Sequence, residues 1–350
     1  MKSVFTEDLK EGMVVGADSY TTTGLMIVPA GIVITKPIID HLRALGVETV
    51  WINDEVSKPD KIIETKESFA DFQKDYGKAK DKLNNTFGKM LKKSADKAEI
   101  ETMIEESWQM LDRDTNSYDM IGMLYSMHNY SDITYMHCMN VGLIAALIGR
   151  WLKWPEEDIK LLNTCGLFHD IGKLLIPKDI LDKPGKLSDK EYEIIKTHTI
   201  KGYELIKDYG LDDRIVNCVL MHHERCNGSG YPFGLKGNRL DRFTKVIAIA
   251  DVYEAMTATR VYRGPVCPFD VIAQFENNGF DLYETEYLLV FLQNIVNCYL
   301  HSSVRLSNGE TAEIVLINRQ KGSKPVVMTT GGRPVDLLKE KNLKIDELIE

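Results

Sequence analysis

The spacing of apolar and polar positions changes rhythm three times along this 350-residue chain. At the start, Gly12-Met13-Val14-Val15-Gly16 and Leu25-Met26-Ile27-Val28-Pro29-Ala30-Gly31 are short apolar runs between glycine and threonine clusters, which predicts short strands. Apolar residues then recur at helical spacing from Thr35 to Leu45 and stop at Gly46, the mark of a helix followed by a glycine cap. Val50-Trp51-Ile52 predicts a closing strand. Residues 1–56 therefore read as a small α+β module with no catalytic grouping in it.

Residues 57–114 form a charged connector rich in lysine and acid. Inside it Phe69, Phe72, Tyr76, Ala79, Leu83, Phe87 and Met90 recur every three or four residues, one apolar stripe on a helix of several turns. Such a stripe either packs on its own domain or serves as a signalling or dimerisation seam, which would give a homodimer through the connector. The spacing does not choose. From about 101 to 300 apolar periodicity is helical almost throughout, interrupted by glycine- and proline-bearing loops at 175–188 and 226–240. The last stretch changes again: Val304 to Val315 predicts two strands around the Asn308-Gly309 turn, and Pro325-Val326-Val327-Met328 a third. The expected fold is mainly α, a helical bundle domain over 115–301 between the α+β module and a small β extension over 302–350.

Composition adds exclusions. With 44% hydrophobic and 27% charged residues, the chain can bury a sizeable core and is no disordered polymer. A net charge of −9 argues against a nucleic-acid polymer as partner, although a small anion in a locally basic pocket remains compatible. The apolar run Val141–Ile148 is too short for a membrane span, and the N-terminus meets Glu7 and Asp8 before any apolar region, so no secretory signal is expected. Cys138, Cys165, Cys218, Cys226, Cys267 and Cys298 are scattered without a CxxC pair, as reduced thiols of a cytoplasmic protein would be.

The chemistry gathers in the helical stretch. His137, His169, His198, His222 and His223 all fall there, beside carboxylates. One buried histidine is usually a hydrogen-bonded core residue, but five on one domain call for a shared explanation, and metal binding supplies it. His169-Asp170 ends the apolar run Leu161–Phe168, and His222-His223 ends Ile215–Met221. Helical neighbours point about 100° apart, so each pair flanks an ion or serves two. A carboxylate can bridge two cations through its two oxygens, which makes Asp170 the natural bridge and the histidines terminal ligands. Asp251 follows the apolar run Val246–Ala250, where a carboxylate needs a cation or several donors. The loop Asn227-Gly228-Ser229-Gly230-Tyr231-Pro232 is either an ordinary turn or a site of close backbone approach.

In this order and spacing, His169-Asp170 with Gly172-Lys173, then His198, His222-His223-Glu224-Arg225, Gly230-Tyr231-Pro232 and Ile249–Thr257 followed by Arg260 and Arg263, the sequence resembles the HD-GYP subfamily of HD-domain phosphohydrolases over roughly 115–300. The resemblance implies an HD-type bundle that hydrolyses the bacterial second messenger cyclic di-GMP to pGpG and onward to GMP. It implies two divalent cations, iron or manganese first, with zinc, nickel or magnesium as alternatives. His137, His169, Asp170 and Asp251 would hold one cation. His198, His222 and His223 would hold the other, with Asp170 bridging. A Glu that adds a third metal in some members is Ile133 here. Hydroxide held between two cations is a strong nucleophile towards a phosphodiester. Lys173 would place its ammonium on phosphate oxygens or the leaving group, so Asp170 and Lys173 form the catalytic pair. Lys173, Tyr231, Arg260 and Arg263 would bind substrate, the arginines by gripping phosphate or stacking on guanine.

Two positions depart from the subfamily pattern. Asn227 replaces the usual Asp at the head of the loop, keeping an acceptor without the charge, and Gly264–Pro268 lacks a lysine that many members carry. The N-terminal module resembles accessory, sensor-like pieces found before such domains. Two other functions stay open on sequence: a receptor that binds the dinucleotide without turnover, and a hydrolase preferring cyclic GMP-AMP.

Overall fold

The structure, a computed structural model, describes residues 1–17, 19–20, 26–28, 34, 36–44, 47–53, 66–111, 117–127, 133–258 and 264–349. In the N-terminal unit β1 (Lys2–Phe5) is followed by β2 (Ser19–Tyr20), β3 (Met26–Val28), α1 (Lys36–Ala44) and β4 (Thr49–Ile52). β1 and β4 pair antiparallel from Lys2↔Ile52 to Phe5↔Thr49. Leu9, Val15, Val28, Ile34, Leu42, Val50 and Ile52 form a core of their own. The strand expected over 12–16 is reduced to isolated bridges at Val14 and Val15, the latter with Ile52. Gly12 sits at φ +88°, a left-handed conformation that turns the backbone out of extended pairing. The ends of the 25–31 run and the glycine cap at Gly46 lie outside the described residues.

The helical body begins with α2 (Lys66–Leu91), α3 (Lys97–Gln109) and α4 (Ser117–Ser126). The connector stripe belongs to this body: Phe72, Tyr76, Ala79, Leu83, Phe87 and Met90 are all buried in the main core. The Phe87 ring lies 5.4 Å from Phe168. The apolar face that could have served a homodimer is thus covered by the chain itself.

At the centre are α5 (Ile133–Trp151) and α6 (Glu156–Phe168). α5 is buried along nearly its whole described length because its sequence is apolar on every side. The two helices cross where Gly142 meets Gly166; a Cβ on Gly166 would collide with the Gly142 backbone. That close approach sets His137 of α5 beside His169 at the end of α6. Next come α7 (Lys178–Leu181), α8 (Asp189–Lys196), α9 (His198–Ile206), α10 (Asp213–Met221), α11 (Arg242–Thr257), α12 (Pro268–Leu282) and α13 (Thr285–Ile295). The continuous pattern over 190–207 is broken at Thr197, where the Thr197 hydroxyl donates to Ile194 O (2.6 Å) and His198 Nδ1 to Ile195 O (2.7 Å). Side chains that take helix carbonyls compete with the backbone ladder.

The chain ends in β5 (Ser303–Leu306), β6 (Thr311–Leu316), β7 (Val326–Thr329), β8 (Pro334–Asp336) and β9 (Ile345–Ile349). They form one antiparallel sheet in the order β8-β7-β6-β5-β9. β5 and β6 turn at Asn308-Gly309, with Gly309 at φ +86°. The two strands the pattern missed are a three-residue segment and the charged Ile345-Asp346-Glu347-Leu348-Ile349, neither of which alternates cleanly. Val304, Ile314, Val327 and Ile345 join the same core as the helices, and Lys344 Nζ pairs with Asp270 of α12 at 2.9 Å. Among the described residues no helix is long and apolar enough to cross a membrane.

Candidate metal centre

Five helices deliver the seven candidate ligands to one point. His137 projects from α5, and His169 with Asp170 follows the last turn of α6, where His169 N still bonds Cys165 O at 2.9 Å. His198 opens α9, His222-His223 follows α10, and Asp251 lies inside α11, where it caps nothing. His169, Asp170, His198 and His222 are wholly inaccessible to solvent. The ligand atoms fall into two sets, each within 4.8 Å: Asp170, His198, His222 and His223, and His137, His169 and Asp251.

The hydrogen bonds around the rings decide where the protons sit. His169 Nδ1 faces Gly166 O at 2.6 Å, His198 Nδ1 faces Ile195 O at 2.7 Å, and His222 Nδ1 faces Val219 O at 3.1 Å. A carbonyl only accepts, so each ring donates from Nδ1 and turns Nε2 inward. His137 follows the same rule, with Nδ1 against the Glu254 carboxylate. The Nε2 atoms then confront one another: His137 and His169 Nε2 are 3.2 Å apart, His198 and His222 Nε2 3.3 Å. Asp170 Oδ2 is 3.2 Å from both His137 and His169 Nε2, and its Oδ1 is 3.2 Å from His198 and 3.6 Å from His222. Asp170 Oδ1 is buried with no hydrogen-bond donor. Acceptors packed on acceptors need positive charge between them. Nitrogen and carboxylate donors without thiolate suit iron, manganese or zinc. The residues therefore fit a pair of divalent cations sharing Asp170.

The electrostatics agree. Burial alone would raise the Asp170 carboxyl, but the Lys173 ammonium and the His169 and His137 rings outweigh it and hold the group well below the usual carboxylate range. Burial drives His222 down to about 4 and, helped by the neighbouring His222, pushes His223 well below the ordinary histidine value. Both rings are neutral at pH 7, as metal ligands must be. Lys173, in the short 3₁₀ turn Ile171–Leu175, is ion-paired with Asp170 Oδ2.

The loop over 227–232 closes one side. A Cβ on Gly230 would strike Glu224 Cα, His223 O and Arg225 N, so this is a close approach and not a free turn. Tyr231 stacks on His223 with ring centroids 4.6 Å apart and an interplanar angle of 29°. The Asn227 departure has a local reason: its amide donates to Asp281 at 2.7 Å while its oxygen accepts from Ser229 N at 3.0 Å. An aspartate there would face another carboxylate. Arg260 and Arg263 lie outside the described residues.

Sequence reasoning missed two carboxylates. Glu224, 1% exposed, accepts from Phe233 N (2.7 Å) and Leu235 N (2.9 Å) and so ties the loop to the His222-His223 turn. Glu254 orients His137. The signal for Glu254 was available: it lies three residues after Asp251 in an apolar helix, hence on the same face.

The HD domain profile matches residues 100–279, just over half of the chain, and the chain belongs to that family. Its ordered histidine, aspartate and GYP motifs resemble those of HD-GYP members. It is 33% identical over 194 residues to a cyclic di-GMP phosphodiesterase of Pseudomonas aeruginosa, covering 55% of this chain and 46% of that one. It is 42% identical over 135 residues to a 3'3'-cGAMP-specific phosphodiesterase of Vibrio cholerae, covering 38% of this chain and 31% of that one. Both matches span less than half the length of the relative. The fold is shared with an HDG"Y"P protein from Bdellovibrio bacteriovorus, at 12% identity and a TM-score of 0.56 over 84% of this chain and 99% of that one.

Proposed function

We propose that the chain is a metal-dependent phosphodiesterase that opens cyclic dinucleotides, cyclic di-GMP first, to pGpG and then GMP. The observation that carries this reading is the convergence of imidazole Nε2 nitrogens on both oxygens of Asp170. Two divalent cations, iron or manganese, would activate water and offset charge on the phosphodiester. His137, His169 and Asp251 would hold one, His198, His222 and His223 the other, and Asp170 both. Lys173, already beside Asp170, would turn its ammonium to the phosphate oxygens or the leaving oxygen. Tyr231, stacked on His223, forms the wall against which a base or ribose rests, and Arg260 and Arg263 would grip phosphate or guanine. Ile133 in place of a Glu supports two metals over three.

Cyclic GMP-AMP is a second substrate to test, because the Vibrio cholerae relative specific for it is 42% identical over the stretch it matches. A receptor role without turnover has less support, since every candidate ligand is present and gathered. Six free cysteines support a reducing, cytoplasmic setting. The buried connector stripe leaves a homodimer through α2 without an apolar seam.

The test is turnover. Anaerobically purified protein loaded with iron or manganese is incubated separately with cyclic di-GMP and cyclic GMP-AMP, and the products are separated by chromatography. Metal-dependent appearance of the linear dinucleotide or mononucleotides is expected. Intact dinucleotides at two bound cations per chain would overturn the hydrolase reading.

A further inference from the structure

α2 reaches the metal centre through a route that the ligand set does not display. Tyr76, in the middle of α2 and 1% exposed, donates its hydroxyl hydrogen to Asn140 Oδ1 at 2.7 Å, with Met136 O at 3.3 Å as a second acceptor. Asn140 Nδ2 donates to Glu254 Oε1 at 3.0 Å. Glu254 Oε2 accepts from His137 Nδ1. The route has a direction. A phenol facing Asn140 fixes the amide with its oxygen towards α2 and its nitrogen towards the carboxylate, because the reversed amide would set oxygen against Glu254. The carboxylate in turn holds the His137 proton on Nδ1. Nε2 is thereby the nitrogen left to meet a cation, 3.1 Å from Asp251 and 3.2 Å from Asp170.

We infer that Tyr76 is a positioning residue for the metal centre, acting through Asn140 and Glu254 to fix the tautomer and orientation of His137. Tyr76 stands outside the stretch matched by the HD domain profile, which begins at residue 100. The helix preceding the family domain therefore sets the cation affinity of the His137–His169–Asp251 group and leaves the His198–His222–His223 group untouched. The inference rests on both groups binding cations and is independent of the substrate. Partners behind a ligating histidine are worth about 10–100-fold in metal affinity. Tyr76 is two hydrogen bonds further back, so its hydroxyl is expected to be worth roughly threefold to tenfold.

The experiment is manganese binding by the full chain, followed as stoichiometry and affinity by titration and as the magnetic coupling between the two ions by electron paramagnetic resonance. Tyr76→Phe keeps the ring in its pocket and removes only the hydroxyl. It should weaken one of the two binding events roughly threefold to tenfold and reduce the coupled-pair signal at limiting metal. Phe72→Leu, a packing change on the same helix with no hydrogen bond, should lower stability and leave both affinities unchanged. Asn140→Ala should weaken the same event at least as much, and adding Tyr76→Phe to it should weaken it no further, since Tyr76 acts through Asn140. Equal affinities for Tyr76→Phe and the parent, or additive losses in the double variant, would overturn the inference while leaving the metal centre standing. A parent chain that binds fewer than two manganese ions would overturn both.

Discussion

At the scale of single residues, Gly230 lets its loop close against the candidate metal centre. The glycine is required because the loop backbone presses on His223, Glu224 and Arg225 with no room for a methyl group. Glu224 fixes the far side of the same loop through two backbone donors. Gly230→Ala must push the loop outward and take Tyr231 off His223, while every cation ligand keeps its place. Metal content is expected to stay at the parent value while kcat/KM falls on the order of 10²-fold, the cost of about 1 Å of misplacement. Elemental analysis beside steady-state kinetics checks both halves, and a parallel loss of metal would contradict the assignment of the loop to substrate alone. The seven candidate ligands that the structure gathers were legible in the sequence because so many histidines and aspartates at the ends of apolar runs call for a shared explanation. Asn140 and Glu224 were not, because each touches another side chain or a loop and no reacting group, whereas Glu254 could have been found from its place one helical turn after Asp251.

At the scale of elements, legibility followed periodicity. α5, α6 and α11 appear in the apolar pattern nearly to their ends because each buries most of its residues, and α10 because its buried residues keep helical spacing. α8 and α9 read as one helix, since apolar spacing continues across Thr197 while the break depends on side chains taking carbonyls. α2 shows the limit most plainly. Its stripe was visible, but spacing cannot say which surface a stripe covers. In the structure the stripe lies against α5 and the end of α6, with Phe87 on Phe168 and Tyr76 on Asn140. The charged connector is thereby a supporting helix of the metal centre.

At the scale of the whole molecule, the buried histidines link folding to pH. The His222 pKa falls from 6.5 to about 4 because burial disfavours the charged ring, and His223 is depressed in the same direction. The unfolded chain therefore binds protons below pH 6.5 that the folded chain refuses. Stability present above pH 6.5 is lost as pH falls towards 4, by about 3 kcal/mol for His222 at about 1.4 kcal/mol per unit. In the metal-free protein burial opposes the charge of His137, but Glu254, Asp170 and Asp251 outweigh it and raise this ring well above 6.5; its contribution is present below 6.5 and lost as pH rises above it, so it offsets a small part of the His222 loss. Urea unfolding of metal-free protein at pH 7 and pH 4.5 should show this loss, and His222→Asn should shrink it. Equal stabilities at the two pH values would contradict the burial of neutral rings.

The central claim is that one carboxylate joins seven side chains from five helices into a single two-cation centre. Its most direct measurement is the metal content of Asp170→Ala against the parent chain, purified identically and reconstituted with manganese. The geometry predicts two ions per parent chain and essentially none in the variant, because both groups lose an oxygen that no other residue replaces. Two ions retained by a folded Asp170→Ala protein would contradict it.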